Sequence, residues 1–144
     1  ETVCVFYSAG PHYAKALAAA REQYPEAEIV ALVPAGFQAN EREQAKADRF
    51  LERPGLKGLI PFMRRQRARA FVVMFASPKL RLLGALSGAR EVMHVRQDGT
   101  AKPLPSSLVT NLYIIAGEKF FGHLVYWRIW LHIRLTPVKP IRDE

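Results

Sequence analysis

A single cysteine, Cys4, stands in the 144 residues, so the chain forms no internal disulfide and offers no multi-thiol metal site. Nothing in it points to an oxidising compartment, and the expected location is cytoplasmic. Long hydrophobic runs are also missing. The nearest approach to the roughly 18 uncharged apolar residues of a spanning helix is Leu112 to Leu135, which Glu118, Lys119, Arg128 and Arg134 interrupt. The first apolar stretch is short and follows no basic segment, unlike a signal peptide. Neither GxGxxG nor GxxxxGKS occurs, which leaves no dinucleotide fingerprint and no P-loop. The histidines His12, His94, His123 and His132 stand at no metal-ligand spacing with carboxylates or Cys4, so neither a metal nor a cofactor is expected.

Acidic residues are absent from one long segment. Residues 53–90 carry nine bases (Arg53, Lys57, Arg64, Arg65, Arg67, Arg69, Lys79, Arg81 and Arg90) and no acid, whereas residues 1–52 carry five bases against eight acids. The surplus of +8 therefore comes chiefly from the middle of the chain. A one-sided field of this kind draws anions, whether phosphate esters, lipid headgroups or nucleic acid.

What is present is an alternation of short β-rich runs and helical patterns. Thr2–Tyr7 reads as a buried strand, and Pro11 suits the first turn of a helix running to Tyr24. Glu28–Val33 is the second strand, followed by a solvated helical stretch over 40–53. Residues 56–69 read as a helix with a basic end, which Pro61 either kinks or starts. The arginines at that end complement the helix dipole, a structural reason for some of them. Phe71–Phe75 and Glu91–Val95 are the third and fourth strands. Between them Ser77 and Pro78 open a helix over 79–86 that Ser87 and Gly88 close. Asp98-Gly99 is a turn, and Pro103 and Pro105 lead into a last apolar segment, 106–135. The fold class expected is α/β: a Rossmann-like parallel sheet of about four strands, helices on both faces and a long apolar C-terminal helix. Residues 1–105 would be the α/β domain. Residues 106–144 would be the apolar helix and tail, part of that domain or a segment docking on a membrane or partner.

Parallel open sheets bind ligands at the carboxyl ends of strands where the strand order reverses. With the first strand central, the loops Ser8-Ala9-Gly10 and Ala76-Ser77 become neighbours, and two helix N-termini point into one crevice receptive to phosphate or carboxylate. Ser8, Gly10, Ser77, Lys79 and Arg81 are the candidate anion-binding residues. The plainer reading of Gly10 and Ser77 is capping. His12, one turn into the first helix, is the candidate acid or base, with an ordinary surface histidine as its alternative. His94 reads as a packed strand residue.

In the last segment Phe120, Leu124, Trp127, Leu131 and Leu135 recur at helical spacing, yet Phe121, Val125, Tyr126, Ile129, Trp130 and Ile133 cover the other sides. A helix apolar almost all round is buried, partnered or set in a membrane interface. Trp and Tyr interleaved with Arg and Lys suit the headgroup zone. Phe120, Leu124, Trp127, Arg128, Trp130 and Leu131 are therefore the candidate contacts with a membrane or a partner.

From Leu59 to Val95 the text LIPFMRRQRARAFVVMFASPKLRLLGALSGAREVMHV resembles the N-terminal half of heptosyltransferase-type glycosyltransferases of the GT-B architecture. The opening VCVFYSAGPHYAKAL and the following EIVALV are similar to that family's first strand, Ser-x-Gly loop, helix and second strand. The similarity covers residues 2–96. It implies the half that faces a lipid-linked sugar acceptor and works with a donor domain, here a missing domain or a partner subunit. The family's loop continues Ser-x-Gly-Asp with the aspartate as base, whereas Pro11 follows Gly10 here, so that role is vacant unless His12 fills it. Group transfer needs both substrates held together, so this chain is not expected to catalyse alone.

Three expectations follow. The first is an acceptor-side, glycosyltransferase-like domain of envelope polysaccharide or lipopolysaccharide biosynthesis, peripheral on the inner face of the cytoplasmic membrane, with anionic lipid or a phosphorylated glycolipid as partner. The second is a small binding module for a nucleotide or other phosphorylated ligand. Nucleic acid is not expected, because the bases alternate with buried strands and no recognition helix or stacking motif accompanies them.

Overall fold

The computed structural model describes residues 1–7, 11–39 and 46–135, with Leu56 described by its backbone alone. In chain order the elements are β1 (Thr2–Phe6), α1 (His12–Gln23), β2 (Glu28–Val33), β3 (Arg49–Glu52), α2 (Leu56–Arg65), β4 (Ala70–Val73), α3 (Pro78–Leu86), β5 (Glu91–Val95), β6 (Ala101–Leu104) and α4 (Leu108–Leu135). The fold is α/β, and the sheet order is β3-β2-β1-β4-β5-β6. β1 pairs in parallel with β2 on one side and β4 on the other, β3 and β5 extend the sheet in parallel, and β6 is antiparallel to β5.

The sheet is thus mixed and six-stranded among the described residues, larger than the four parallel strands expected. Two segments account for the difference. Residues 49–52, expected within a helical stretch, form β3: its register against Val30–Val33 is fixed by backbone bonds from Asp48 to Ile29 and from Arg53 to Val33. The part of that stretch over 40–45 lies outside the described residues. Residues 101–104 form β6, with the Asp98-Gly99 turn returning the chain onto β5. Pro103 sits in this edge strand, where a missing ladder donor is tolerated. The expected helix over 56–69 ends at Arg65, with Pro61 inside it.

Strand alternation sorts the core into two layers. Val3, Val5, Ile29, Ala31, Val33, Ala70, Val72, Met93 and Val95 pack with Tyr13, Ala16, Leu17 and Ala20 of α1. Cys4, Val30, Leu32, Phe71, Val73 and Val92 face the other way, against Leu59 and Met63 of α2 and Leu80 and Leu83 of α3. Apolar text on both faces of β1, β2 and β4 is what a sheet covered by helices on each side requires. A fully buried side chain such as Phe71 contributes about 1.5–3 kcal/mol through removal from water.

α2 and α3 end alike. Each has one residue after its C-cap in the left-handed region: Arg67 (φ 47) after α2 and Gly88 (φ 78) after α3. Glycine bears this conformation without penalty, whereas a residue with a Cβ costs about 1–2 kcal/mol.

The chain divides into two compact units, Glu1–Asn111 and Leu112–Glu144. Within the first, Asn111 is fully buried and its amide donates to the carbonyls of Pro105 (2.6 Å) and Ser107 (2.9 Å). The described part of the second is the remainder of α4, a single helix whose Phe120, Leu124, Trp127, Arg128 and Leu131 are exposed. Trp127 and Trp130 meet edge to face at 5.5 Å, and Arg134 lies over the Trp130 ring at 4.4 Å. Among the described residues no helix is long and apolar enough to cross a membrane.

Candidate functional site

The strand order reverses between β1 and β4: the chain steps from β1 outward to β2 and β3, then returns to the other side of β1 at β4. Helix α1 leaves β1 over one face, and α3 leaves β4 over the opposite face. The loops that follow these two neighbouring parallel strands therefore share the carboxyl edge of the sheet. Ser8 and Gly10 belong to the first loop and lie outside the described residues. Ser77 and the start of α3 belong to the second.

Ser77 has a structural task. Its hydroxyl accepts from the Leu80 amide at 3.3 Å, the N-cap bond that Pro78 at the first helical position favours. Lys79 is exposed on the first turn. Arg81 folds back onto the loop, its Nε donating to the Ala76 carbonyl at 3.0 Å. His12 opens α1 and is half-buried, with Nδ1 shielded from water and without a hydrogen-bond partner. His94 is the packed strand residue expected: its Nε2 sits 3.1 Å from the Met74 carbonyl oxygen.

One residue of this edge escapes sequence reading. Arg53, immediately after β3, lies with its guanidinium over the Phe6 ring at 5.0 Å, at the very end of β1. Its Nε is buried and has no hydrogen-bond partner. A cation on an aromatic face at the end of the central strand, with a spare donor, is suited to an anionic ligand. Beside it Tyr7 packs edge to face with Tyr13 (4.8 Å) and Phe37 (4.5 Å), so the α1 side of the edge is lined by rings.

Four other bases of the segment lie elsewhere. Arg64, Arg67, Arg69 and Arg90 gather at the opposite, amino edge of the sheet, where with Glu1, Thr2, Ala68 and Gly88 they line a cavity of about 320 Å³. Residues that precede parallel strands and residues that follow them fall on opposite edges, so a single run of bases in the text becomes two separate fields in space.

Burial pushes the Cys4 thiol up to about 11, which keeps it neutral and unreactive within the core. No group of three His, Cys, Asp or Glu able to hold a metal ion occurs among the described residues. No protein-family model, curated protein or solved structure matches the chain.

Proposed function

We propose that the first unit is a Rossmann-like ligand-binding domain whose site is the carboxyl edge between β1 and β4 and whose ligand carries a phosphoryl group. The observation that supports it most is Arg53, its guanidinium over the Phe6 ring and its buried Nε without a partner, at the point where the strand order reverses. Such a reversal opens a crevice between helices on opposite faces. The α3 N-terminus adds main-chain N–H groups, and Lys79 and Arg81 add charge. Ser77 serves this site by shaping the loop rather than by touching the ligand. Among the described residues of this edge, His12 is the candidate base.

Within this reading, the resemblance makes the ligand a phosphorylated glycolipid, the nucleotide sugar belonging to the donor domain. The chain is then the acceptor-side half of an envelope-polysaccharide glycosyltransferase, working with a donor domain or partner. The α4 helix favours this over a freely diffusing module. Its exposed Trp127, its Trp130 and its arginines supply the rings and bases that settle at a headgroup layer, here the inner face of the cytoplasmic membrane.

Isothermal titration calorimetry against a panel of sugar phosphates, nucleoside diphosphates and nucleotide sugars tests the site, the sugar phosphates standing for the glycolipid headgroup. At least one member is expected to bind, and Arg53→Gln is expected to weaken it by about tenfold, the loss of one charge-assisted hydrogen bond. Absence of heat from every member, or an affinity indifferent to Arg53→Gln, overturns the proposal.

A further inference from the structure

The amino edge of the sheet holds a second basic field that the proposed site does not use. Its cavity of about 320 Å³ is lined by four arginines and a single acid, Glu1. Glu1 is engaged: it pairs with Arg69, which also lies 3.7 Å from Glu91. Arg69 in turn holds the Glu1 carboxyl below its ordinary range, with Arg90 adding a smaller pull in the same direction. Arg64, Arg67 and Arg90 form no ion pair among the described residues, and all three are exposed.

One of these arginines is held by a side-chain bond, and another stands on a backbone conformation that costs free energy. Arg64 donates through Nε to the Leu86 carbonyl at 3.0 Å, at the end of α3, which leaves the rest of its guanidinium fork for another acceptor. Arg67 occupies the left-handed position after α2 that glycine occupies after α3. Capping a helix end accounts for Arg64, but the bond of a C-terminal turn does not call for arginine at position 67. Glycine would make the same turn without strain. Backbone strain kept at a residue whose side chain lines a charged cavity points to a use for that side chain.

We infer that the amino-edge cavity is an anion site in which Arg64, Arg67 and Arg90 bind a phosphomonoester or diphosphate group. Three arginines without an ion pair among the described residues line a space large enough for such a group, and planar guanidinium forks match its oxygens two at a time. The site is on the opposite edge of the sheet from the one proposed above and stands or falls separately from it. Phosphoryl chemistry of this kind is carried by soluble phosphates and by lipid headgroups.

The test is titration of the full chain with inorganic pyrophosphate by calorimetry, beside co-sedimentation with vesicles containing phosphatidic acid or, as a diester control, phosphatidylglycerol. Arg67→Gly, Arg90→Gln and Lys102→Gln are compared, the last removing one positive charge from the remote edge strand β6. Arg67→Gly is expected to raise the melting temperature while lowering pyrophosphate affinity about tenfold, and Arg90→Gln to lower affinity similarly. Lys102→Gln is expected to leave it unchanged. Binding of pyrophosphate that both arginine variants weaken supports a soluble ligand. Variant-sensitive binding to phosphatidic acid vesicles alone supports a lipid headgroup. No binding to either, or binding that Arg67→Gly and Arg90→Gln leave intact, overturns the inference, and the latter result leaves the carboxyl-edge site as the phosphate binder.

Discussion

The hydroxyl of Tyr24, just past the end of α1, donates to the carboxylate of Glu91 at the start of β5, tying the first helix to the fifth parallel strand across the amino edge. Arg69 lies over the same ring at 5.3 Å. Burial, and then the Glu91 carboxylate, push the Tyr24 hydroxyl up to about 12. A raised phenol favours the fold while it stays protonated. Its contribution is complete below the unfolded value near 10 and disappears as pH rises through the folded value, so stability is expected to fall between about pH 10 and 12. Tyr24→Phe keeps the ring but removes the bond. With Glu91 half exposed, the expected cost is about 1 kcal/mol, or roughly 3–5 °C in melting temperature for a chain of this length. Chemical denaturation of both proteins across that pH range checks it: the variant should start lower and lose less.

Gly84 is the buried glycine of α3. A Cβ there would lie 2.8 Å from Cγ1 of Val92 and 3.5 Å from Cδ1 of Phe71, both buried core groups. Alanine gains about 1 kcal/mol in helix propensity but forces overpacking that costs about 1–3 kcal/mol, so steric crowding outweighs propensity. Gly84→Ala is therefore expected to lower the urea midpoint, and Gly84→Ala with Val92→Ala to recover part of that loss. A midpoint for Gly84→Ala at or above the parent value contradicts this packing.

Asp48 holds β3 beside β2. Its carboxylate accepts from the Ile29 amide at 2.7 Å and pairs with Arg21, and these two interactions, the amide first, hold its carboxyl below the ordinary aspartate range. The contribution is present above the unfolded value near 4 and is lost as pH falls through the lower folded value. Because the group is about half exposed, Asp48→Ala is expected to cost only about 1 kcal/mol at neutral pH, with the difference from the parent vanishing at acid pH. Amide exchange at Ile29 and along β3 is the local readout.

These same residues show what the sequence makes legible and what it does not. β1, β2 and β4 are written as near-continuous apolar runs because both their faces are covered, β5 keeps Val92, Met93 and Val95 for the core, and the turn at Asp98-Gly99 carries its own chemistry. β3 reads Arg-Phe-Leu-Glu, with charged ends that suit an exposed edge. It becomes a strand through Asp48 and Arg49 reaching back to Ile29 and Glu28, contacts that no local pattern encodes. Pro103 hides β6 in the same way. The Ser77 cap was legible, since Ser-Pro before a helical run is a local signal. Arg53 was not, because its place over Phe6 depends on β3 lying beside β2. The basic segment suggested one field, and only the strand directions divide it between two edges.

The C-terminal helix yields the prediction with the widest consequence. Taken as a unit by itself, α4 exposes large apolar side chains on every side, Trp127 at 56% and Phe120 at 64% among them. Leaving that surface in water is costly at roughly 25 cal/mol per Å², so an apolar or interfacial partner is favoured. At a headgroup layer the Trp127–Trp130 pair would sit at the boundary while Arg128 and Arg134 reach anionic phosphates. The chain is expected to co-sediment with anionic liposomes, to do so less as salt rises, and to lose most of that binding when Trp127 and Trp130 both become serine. The two rings matter because they carry the apolar part of the contact; bases alone would give binding that salt abolishes and the serine variant retains. That outcome, or no sedimentation at all, removes the membrane from the proposed function and leaves the apolar helix to a protein partner.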